Sequence, residues 1–464
     1  MSKGFIYNLN KCVGCNACVV ACSIENNTAL SINYRKVNTF NALQFPGLPL
    51  YYLSLACNHC DEAPCVAGCP STALQKNMET GIVTIDAKVC IGCKYCTWTC
   101  PYDAPKFNVL SRVVEKCNLC ESTVLNGGLP ACVHGCPTGA LKYEEVERNR
   151  TDAAAFPQEK TQPRVQIIPS RKERSSAQIT KLDSDAREAI QYELSKEIKA
   201  DFSFKSEWSL ITFTSLVAIL FGWFTATVLS LSSIVHSYFE STKVTASDVL
   251  NVEPLVFVLL GASAGLISFL HLGKKLQALS AFRNLRSSWL SREIFFYAGF
   301  FVLSFYFMLF NHAELLGVLG VLAGLAMLIS IDRVYLFSVR KNVLPMHSAQ
   351  VLLSGLLFTF FFLETYPVFF ALLALKFMLY GIRKVDFTLK NEPIRMSLSL
   401  LRVLFGFIVP VSLLLVENNL PSAHLIILIS LIIGEFADRI EFYLELEIQS
   451  PKKQILDNLK KLIA

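Results

Sequence analysis

The chain has no cysteine after Cys136 and no apolar run of membrane length before Trp208. These two absences divide its 464 residues into unlike halves, so the bulk composition averages two different materials. The opening stretch MSKGFIYNLNKCVGC has neither an apolar core nor a twin arginine. An export signal is therefore not expected, and with it goes a disulfide-rich secreted fold. No glycine-rich phosphate loop follows a predicted strand in the cysteine half, so nucleotide chemistry is not expected there. Histidine is scarce, seven in all. None sits in the middle of an apolar run, whereas a transmembrane haem needs histidines facing one another inside helices, so no haem is expected. The formal net charge of +6 is modest; its placement matters more than its sum, and no nucleic-acid partner is expected.

What is present begins with 16 cysteines in four quartets. Cys12, Cys15, Cys18 and Cys22 follow C-x2-C-x2-C-x3-C, and Cys90, Cys93, Cys96 and Cys100 repeat that spacing. Cys57, Cys60, Cys65 and Cys69 have a middle gap of four residues, and Cys117, Cys120, Cys132 and Cys136 one of eleven. Proline follows the last cysteine in three quartets, as Pro70, Pro101 and Pro137. Three thiolates two residues apart can wrap one face of an iron–sulfide cube, while the fourth, carried off on a Cys-Pro turn, ligates a neighbouring cluster. Structural zinc also uses C-x2-C pairs, but it does not need this run. Four [4Fe–4S] clusters are expected, with all sixteen cysteines as ligands, in a series of thiolates suited to passing single electrons. His59 and His134, inside the cysteine loops, are expected to hydrogen-bond or pack.

The expected organisation is a ferredoxin-like domain over 1–145, a charged linker over 146–205, a membrane block over 206–445 and a basic tail over 446–464. Within the linker, RVQIIP has the pattern of a short strand and DSDAREAIQYELSKEIKA that of a solvated helix or a docking surface for a partner. Eight candidate spans follow, near 208–231, 254–272, 294–311, 314–331, 348–364, 366–382, 398–417 and 422–442. Basic residues crowd one side of this series: Lys274, Lys275, Arg283, Arg286 and Arg292 between the second and third, Arg333 after the fourth, Arg383 and Lys384 after the sixth. The opposite side has only Lys243. This asymmetry predicts a cytoplasmic face for the basic loops, both termini and the cysteine domain. Ionisable residues at membrane depth mark function by default. They gather at that same face: His271 ends the second span, Arg292 and Glu293 open the third, Arg333 and Tyr335 end the fourth, and Glu435 and Arg439 end the eighth. Lys376 lies inside the sixth and can snorkel to that face. Acid–base residues add nothing to anchoring, so His271 and Glu293 stand out from the arginines.

Several stretches resemble a known family. YYLSLACNHCDEAPCVAGCPSTAL, VCIGCKYCTWTCPYDAPKFN and KCNLCE with PACVHGCPTGAL are similar to the iron–sulfur subunit of the dimethyl sulfoxide reductase family of membrane molybdoenzymes. SFLHLGKKLQALSAFRNLRSSWLSREIFF, DRVY and GEFADRIEFY resemble that family's eight-helix anchor subunit, usually a separate chain. The resemblance implies a two-part fold: an α+β double ferredoxin-like domain with four clusters, then an all-α eight-helix bundle in the cytoplasmic membrane. It implies ligand sets of Cys12, Cys15, Cys18 with Cys136; Cys117, Cys120, Cys132 with Cys22; Cys57, Cys60, Cys65 with Cys100; and Cys90, Cys93, Cys96 with Cys69. It further implies menaquinol oxidation at His271 and Glu293, with Arg292, Arg333, Tyr335, Glu435 and Arg439 as lesser candidates, and electron delivery to a separate molybdopterin-containing catalytic subunit. The final acceptor would be a sulfoxide, an N-oxide or nitrate. Two alternatives stay open: reverse flow from a molybdenum dehydrogenase to quinone, and a redox-driven ion transporter, which would want more mid-membrane charges than Lys376.

Overall fold

A computed structural model describes residues 2–29, 31–40, 50–146, 161–168, 204–231, 254–309, 313–336, 346–389, 395–415 and 421–446. The predicted linker helix, the basic tail, His236, His312 and Lys243 lie outside the described residues. The chain divides into two compact units. One takes in Met1–Lys199, Leu276–Ser288 and Ile448–Ala464, and the other Ala200–Lys275 and Trp289–Glu447. The segment Leu276–Ser288, which the sequence pattern assigns to the membrane block, thus groups with the cysteines.

The first unit is built of short elements because its loops are shaped by thiols rather than by long apolar faces. Strand β1 (Ser2–Asn8) pairs antiparallel with β8 (Leu141–Val146) and parallel with β9 (Val165–Ile168). The strand expected in RVQIIP therefore closes the sheet beside the first one. Three hairpins follow in order: β2 (Lys36–Phe40) with β3 (Tyr51–Leu55), β4 (Leu74–Lys76) with β5 (Val83–Ile85), and β6 (Lys106–Asn108) with β7 (Val113–Glu115). Between them sit one- to two-turn helices: α1 (Ala17–Glu25), α2 (Pro64–Ala67), α3 (Tyr95–Thr99), α4 (Glu121–Leu125) and α5 (Ala131–His134). The first and third quartets repeat one backbone shape. Gly14 and Gly92 have φ of +73° and +68°, and Asn16 and Lys94, two residues on, have +59° and +61°. A Cβ on Gly14 would fall 2.5 Å from the Tyr52 ring, so close approach as well as conformation selects glycine there.

The second unit is helical: α6 (Phe204–Leu231), α7 (Pro254–Phe269), α8 (Trp289–Leu309), α9 (Glu314–Tyr335), α10 (Val351–Phe362), α11 (Tyr366–Leu389), α12 (Met396–Val403), α13 (Val409–Leu415) and α14 (Pro421–Glu445). A π-helical turn over Leu404–Ile408 joins α12 to α13 into one stretch. Among the described residues, four stretches are long and apolar enough to cross a membrane: Glu207–Leu231, Trp289–Leu309, Glu314–Tyr335 and Met396–Leu415. Pro254–Phe269 and Val351–Phe362 are apolar but shorter. Helices α6 to α9 pack through aromatic rings on small residues. Phe224 meets Phe300 and Phe307 edge-on at 5.5 and 5.4 Å, and added Cβ atoms on Gly320 and Gly324 would fall within 2.7 Å of Phe224 and Phe221. Small residues let backbones approach where water is absent from both sides of the contact.

Candidate functional site

The cysteines are brought together by their loops in sets. Cys60 feels the charges of Cys57, Cys100 and Cys65; Cys93 those of Cys69 and Cys90; Cys22 those of Cys132 and Cys120, and also that of Cys18; Cys18 that of Cys12, and also that of Cys132 from the neighbouring set. A cavity is lined by Cys69, Cys90, Cys93 and Cys96 together, four residues from two quartets. Burial pushes the thiols of Cys93 and Cys100 up to about 12 and about 11, so metal binding here would displace protons. Cys136 goes the other way: burial raises it, but hydrogen bonds from the backbone at Leu141, Thr138 and Ala140 outweigh that and hold the thiol below its ordinary value. Cys100 has the same arrangement on its own Cys-Pro turn, with backbone donors at Tyr102 and Ala104. The Cys-Pro turn thus aims amides two and four residues on at the sulfur it carries.

The surroundings supply positive charge. Arg35 is buried, 2% exposed, and two of its guanidinium nitrogens, Nε and Nη2, have no hydrogen-bond partner among the described residues. It is held against the Phe5 ring, 4.7 Å from its centroid, and feels the charges of Cys132, Cys117, Cys18 and Cys22. A buried arginine facing thiols from two quartets is costly among neutral side chains and suits an anionic group. Lys76 donates to the carbonyls of Cys60 and Asp61 at 2.9 and 3.0 Å, and Lys116 to that of Cys117 at 2.8 Å. Arg164 clamps Asp61 at 2.7 and 2.8 Å, tying the residue before β9 to the second quartet. His59 Nδ1 accepts the Val83 N–H at 2.9 Å; burial and the charges of Lys116, Arg164 and Lys76 keep its ring neutral. It is the hydrogen-bonding residue that its place in the loop suggests. Among the described residues no three His, Cys, Asp or Glu side chains gather as a single metal ion requires. Sets of thiols spaced around a cavity, with amide donors and buried cations, fit polynuclear iron–sulfur groups.

The second unit holds the ionisable residues. Glu293, in the first turns of α8, is buried at 6% exposure. Tyr335, at the end of α9, shares a short hydroxyl–hydroxyl hydrogen bond with Tyr443 of α14. Tyr335 feels the charges of Glu293 and Arg439, and Tyr443 those of Arg439, Glu207 and Glu293. Glu293, Tyr335 and Arg439 are thus brought together from α8, α9 and α14. Tyr443 and Glu207 are members that sequence reasoning misses. Tyr443 follows directly on GEFADRIEF, four residues after Arg439 on the same helix face, and that spacing is the signal that points to it. Glu207 gives no comparable signal. Arg292 and Arg333 flank Trp289, at 4.2 and 6.0 Å from its ring. His271 is placed in the turn closing α7, half-buried, with Nδ1 away from solvent.

Glu435 belongs to a different group. It meets Lys376 at 2.8 Å and Arg402 at 2.8 Å, while Ser354 donates to it at 2.6 Å. Asp438 meets Arg383 at 2.7 Å and Arg402 at 3.2 Å. Glu441 and Glu445 both bind Lys384, at 2.8 and 2.6 Å. Four carboxylates on one face of α14 therefore match four cations from α11 and α12. Lys376 is fully buried and paired inside this group.

The comparisons with known proteins agree with the two-part architecture. Residues 48–146 match a family described as 4Fe-4S dicluster domain, and residues 203–344 one described as DMSO reductase anchor subunit (DmsC). The sequence is 35% identical over 192 residues to the probable anaerobic dimethyl sulfoxide reductase chain YnfG of Escherichia coli, covering 38% of this chain and 93% of that protein. It is 31% identical over 201 residues to an anaerobic dimethyl sulfoxide reductase chain of Haemophilus influenzae, covering 40% and 98%. It is also 31% identical over 216 residues to a sulfite dehydrogenase subunit of Allochromatium vinosum, covering 39% and 90%. This protein belongs to the dimethyl sulfoxide reductase family, as its iron–sulfur electron-transfer subunit continued in one polypeptide by the membrane-anchor subunit.

Proposed function

We propose that the chain oxidises menaquinol at its membrane half and delivers the electrons to a separate molybdopterin-containing subunit that reduces a sulfoxide, an N-oxide or nitrate. All eight helical stretches would span the cytoplasmic membrane, with the cysteine unit and both termini in the cytoplasm. The observation that carries the quinol reading is Glu293, a buried carboxylate near the start of α8 whose charge is felt by both Tyr335 and Tyr443. Oxidation of a quinol releases two protons and two electrons, and the protons need bases inside the protein. His271, whose imidazole titrates near neutrality when unperturbed, takes one proton, with Glu293 as its partner or exit. The Tyr335–Tyr443 hydroxyl pair, which feels the charges of both Glu293 and Arg439, adds polar groups to this end of the helices.

Four [4Fe–4S] clusters would be held by Cys12, Cys15, Cys18 and Cys136; Cys117, Cys120, Cys132 and Cys22; Cys57, Cys60, Cys65 and Cys100; and Cys90, Cys93, Cys96 and Cys69. The electrostatic sets and the cavity lined by Cys69, Cys90, Cys93 and Cys96 support this partition. When bound, such clusters supply storage for one electron each, in series. The protein's part is to exclude water and to place Arg35 and Lys116 near the thiols, where their charge offsets part of the rise that burial causes.

Membranes carrying His271→Ala are expected to lose menaquinol-driven bleaching of the clusters while dithionite still bleaches them. Unchanged reduction by menaquinol would remove the assignment. A second reading, electron flow from a dehydrogenase to quinone, is favoured by the similarity to the sulfite dehydrogenase subunit. The same variant tested with menaquinone as oxidant of pre-reduced clusters separates the two directions by rate.

A further inference from the structure

The cysteine-bearing unit is completed by a segment from the second half of the sequence. The polypeptide leaves it after Lys199, contributes α6 and α7 to the helical unit, and returns for Leu276–Ser288. This return segment, mostly a 3-10 helix over Lys275–Asn284, is bonded to the turn that carries Cys69. Asn284 Nδ2 donates to the Cys69 carbonyl at 2.9 Å and lies 3.3 Å from that of Ala67. Ser287 Oγ lies 3.0 Å from the Ala67 carbonyl and 2.6 Å from Asn284 Oδ1, its one proton serving either acceptor. Ser288 Oγ donates to the Gly68 carbonyl at 2.9 Å and is fully buried.

The acceptors explain the fit. Helix α2 ends at Ala67, so the carbonyls that follow its last turn fall outside the helical hydrogen-bond pattern; that of Cys69 also takes a long bond from the Thr72 N–H, at 3.4 Å. Three consecutive carbonyls, Ala67, Gly68 and Cys69, are met by side chains from one pentapeptide, Asn284–Ser288. The turn itself is tight: a Cβ on Gly68 would fall 2.5 Å from the Tyr95 ring. The bonds are made to backbone, so they recognise the shape of the Cys69 turn rather than its side chains.

We infer that Asn284, Ser287 and Ser288 form a docking key through which the membrane half of the chain holds its own cysteine half, independently of the connector between them. The two dimethyl sulfoxide reductase relatives match 38% and 40% of this chain with 93% and 98% of their own length. A non-covalent key of this kind is what two separate chains would need. Here it makes the fused connector redundant for holding the halves.

The test cuts the connector. A protease site is inserted between Thr180 and Lys181 of the full-length protein, and membranes are treated with the protease and washed. The cysteine half is expected to stay with the membranes after cleavage and to keep its dithionite-reducible absorbance. Asn284→Asp puts an acceptor opposite two carbonyls, and Ser287→Ala with Ser288→Ala removes the other donors. Together they are expected to weaken retention about a hundredfold, so that cleavage releases the cysteine half into the wash. The uncut triple variant serves as the control for folding, through its cluster absorbance. Should that absorbance be lost, Ser288→Ala alone, with an expected loss of about tenfold, replaces it. Release of the wild-type half on cleavage, or equally firm retention of the variants, overturns the key. Retention is measured without quinol, so it stands or falls apart from the quinol reading.

Discussion

In helices α6 to α9 the helix contacts are made by Phe221, Phe224, Phe257, Phe300 and Phe307, all but Phe257 seated against glycines. In α10 to α14 the contacts that stand out are ionic, with Lys376, Arg383, Lys384 and Arg402 facing Glu435, Asp438, Glu441 and Glu445. The match to the anchor family ends at residue 344, between the two regions. Inside a membrane, apolar burial does not favour one helix contact over lipid, so association rests on close packing or on polar groups that need each other. The two regions use these two routes separately. The aromatic route tolerates loss in small steps, because each ring makes many weak contacts. The ionic route is all-or-none, since removing one partner leaves a buried charge. Charge balance also bears on the ion-transporter alternative: Lys376 is already paired within a neutral network, which favours a holding role.

The largest expected effect follows from that contrast. Arg402→Met strips Glu435 and Asp438 of a shared partner and should destabilise the purified protein by about 3–5 kcal/mol, seen as a lowered thermal midpoint in detergent. Adding Glu435→Gln and Asp438→Asn should recover part of the loss. If the single variant melts like the wild type, the ionic route is not what holds these helices.

Arg35 extends the comparison to the cysteine unit, where a buried cation faces thiols instead of carboxylates. Arg35→Gln removes a positive charge that favours the more negative, reduced clusters. The clusters held by the first and fourth quartets should drop in potential by on the order of 50–100 mV, as read by redox titration with EPR detection. Potentials for the second and third quartets should move less. A uniform shift of all signals would point to altered folding instead.

Much of the architecture is legible in the sequence, and the reason differs by region. Cysteine spacing is read directly because each C-x2-C loop is a local shape, repeated down to φ at Gly14 and Gly92. The grouping of Glu293 with Tyr335 and Arg439 is only half legible: each is marked as an ionisable residue at the cytoplasmic end of a span, but nothing local says which ends converge. Tyr443 is marked only by its spacing from Arg439, because a tyrosine near a helix end otherwise has an ordinary interfacial explanation. The ionic network does leave a signal. Glu435, Asp438, Glu441 and Glu445 recur at helical spacing on α14, and such a stripe in an apolar helix implies a matching stripe of cations. The docking of Asn284–Ser288 is invisible in sequence, because its acceptors are backbone carbonyls.

Within the aromatic region, Phe224→Leu keeps an apolar side chain of similar size and should destabilise by about 1 kcal/mol, several times less than Arg402→Met. Comparable losses for the two would erase the distinction between a graded and an all-or-none interface. Gly320→Ala is the stricter version, since the new methyl must displace the Phe224 ring rather than merely thin the contact.

The smallest effect concerns His347, in the turn before α10, where the ionic region reaches a histidine. Its ring stacks on Phe442 at 4.4 Å. Burial, reinforced by the charges of Arg383 and Arg439, lowers its pKa to about 3. An unfolded histidine titrates near 6.5, so below that pH the unfolded chain takes up a proton that the folded one refuses. Its contribution is therefore fully present above about 6.5 and is lost as pH falls from there towards 3. At pH 5 the loss is roughly 1 kcal/mol, after discounting the full shift because the side chain is only half-buried. His347→Phe keeps the stack and removes the proton, so the variant's thermal midpoint should fall less than the wild type's between pH 7 and pH 5. Parallel curves for the two proteins would mean that the carboxylates of the network, not His347, set the acid limit of the region.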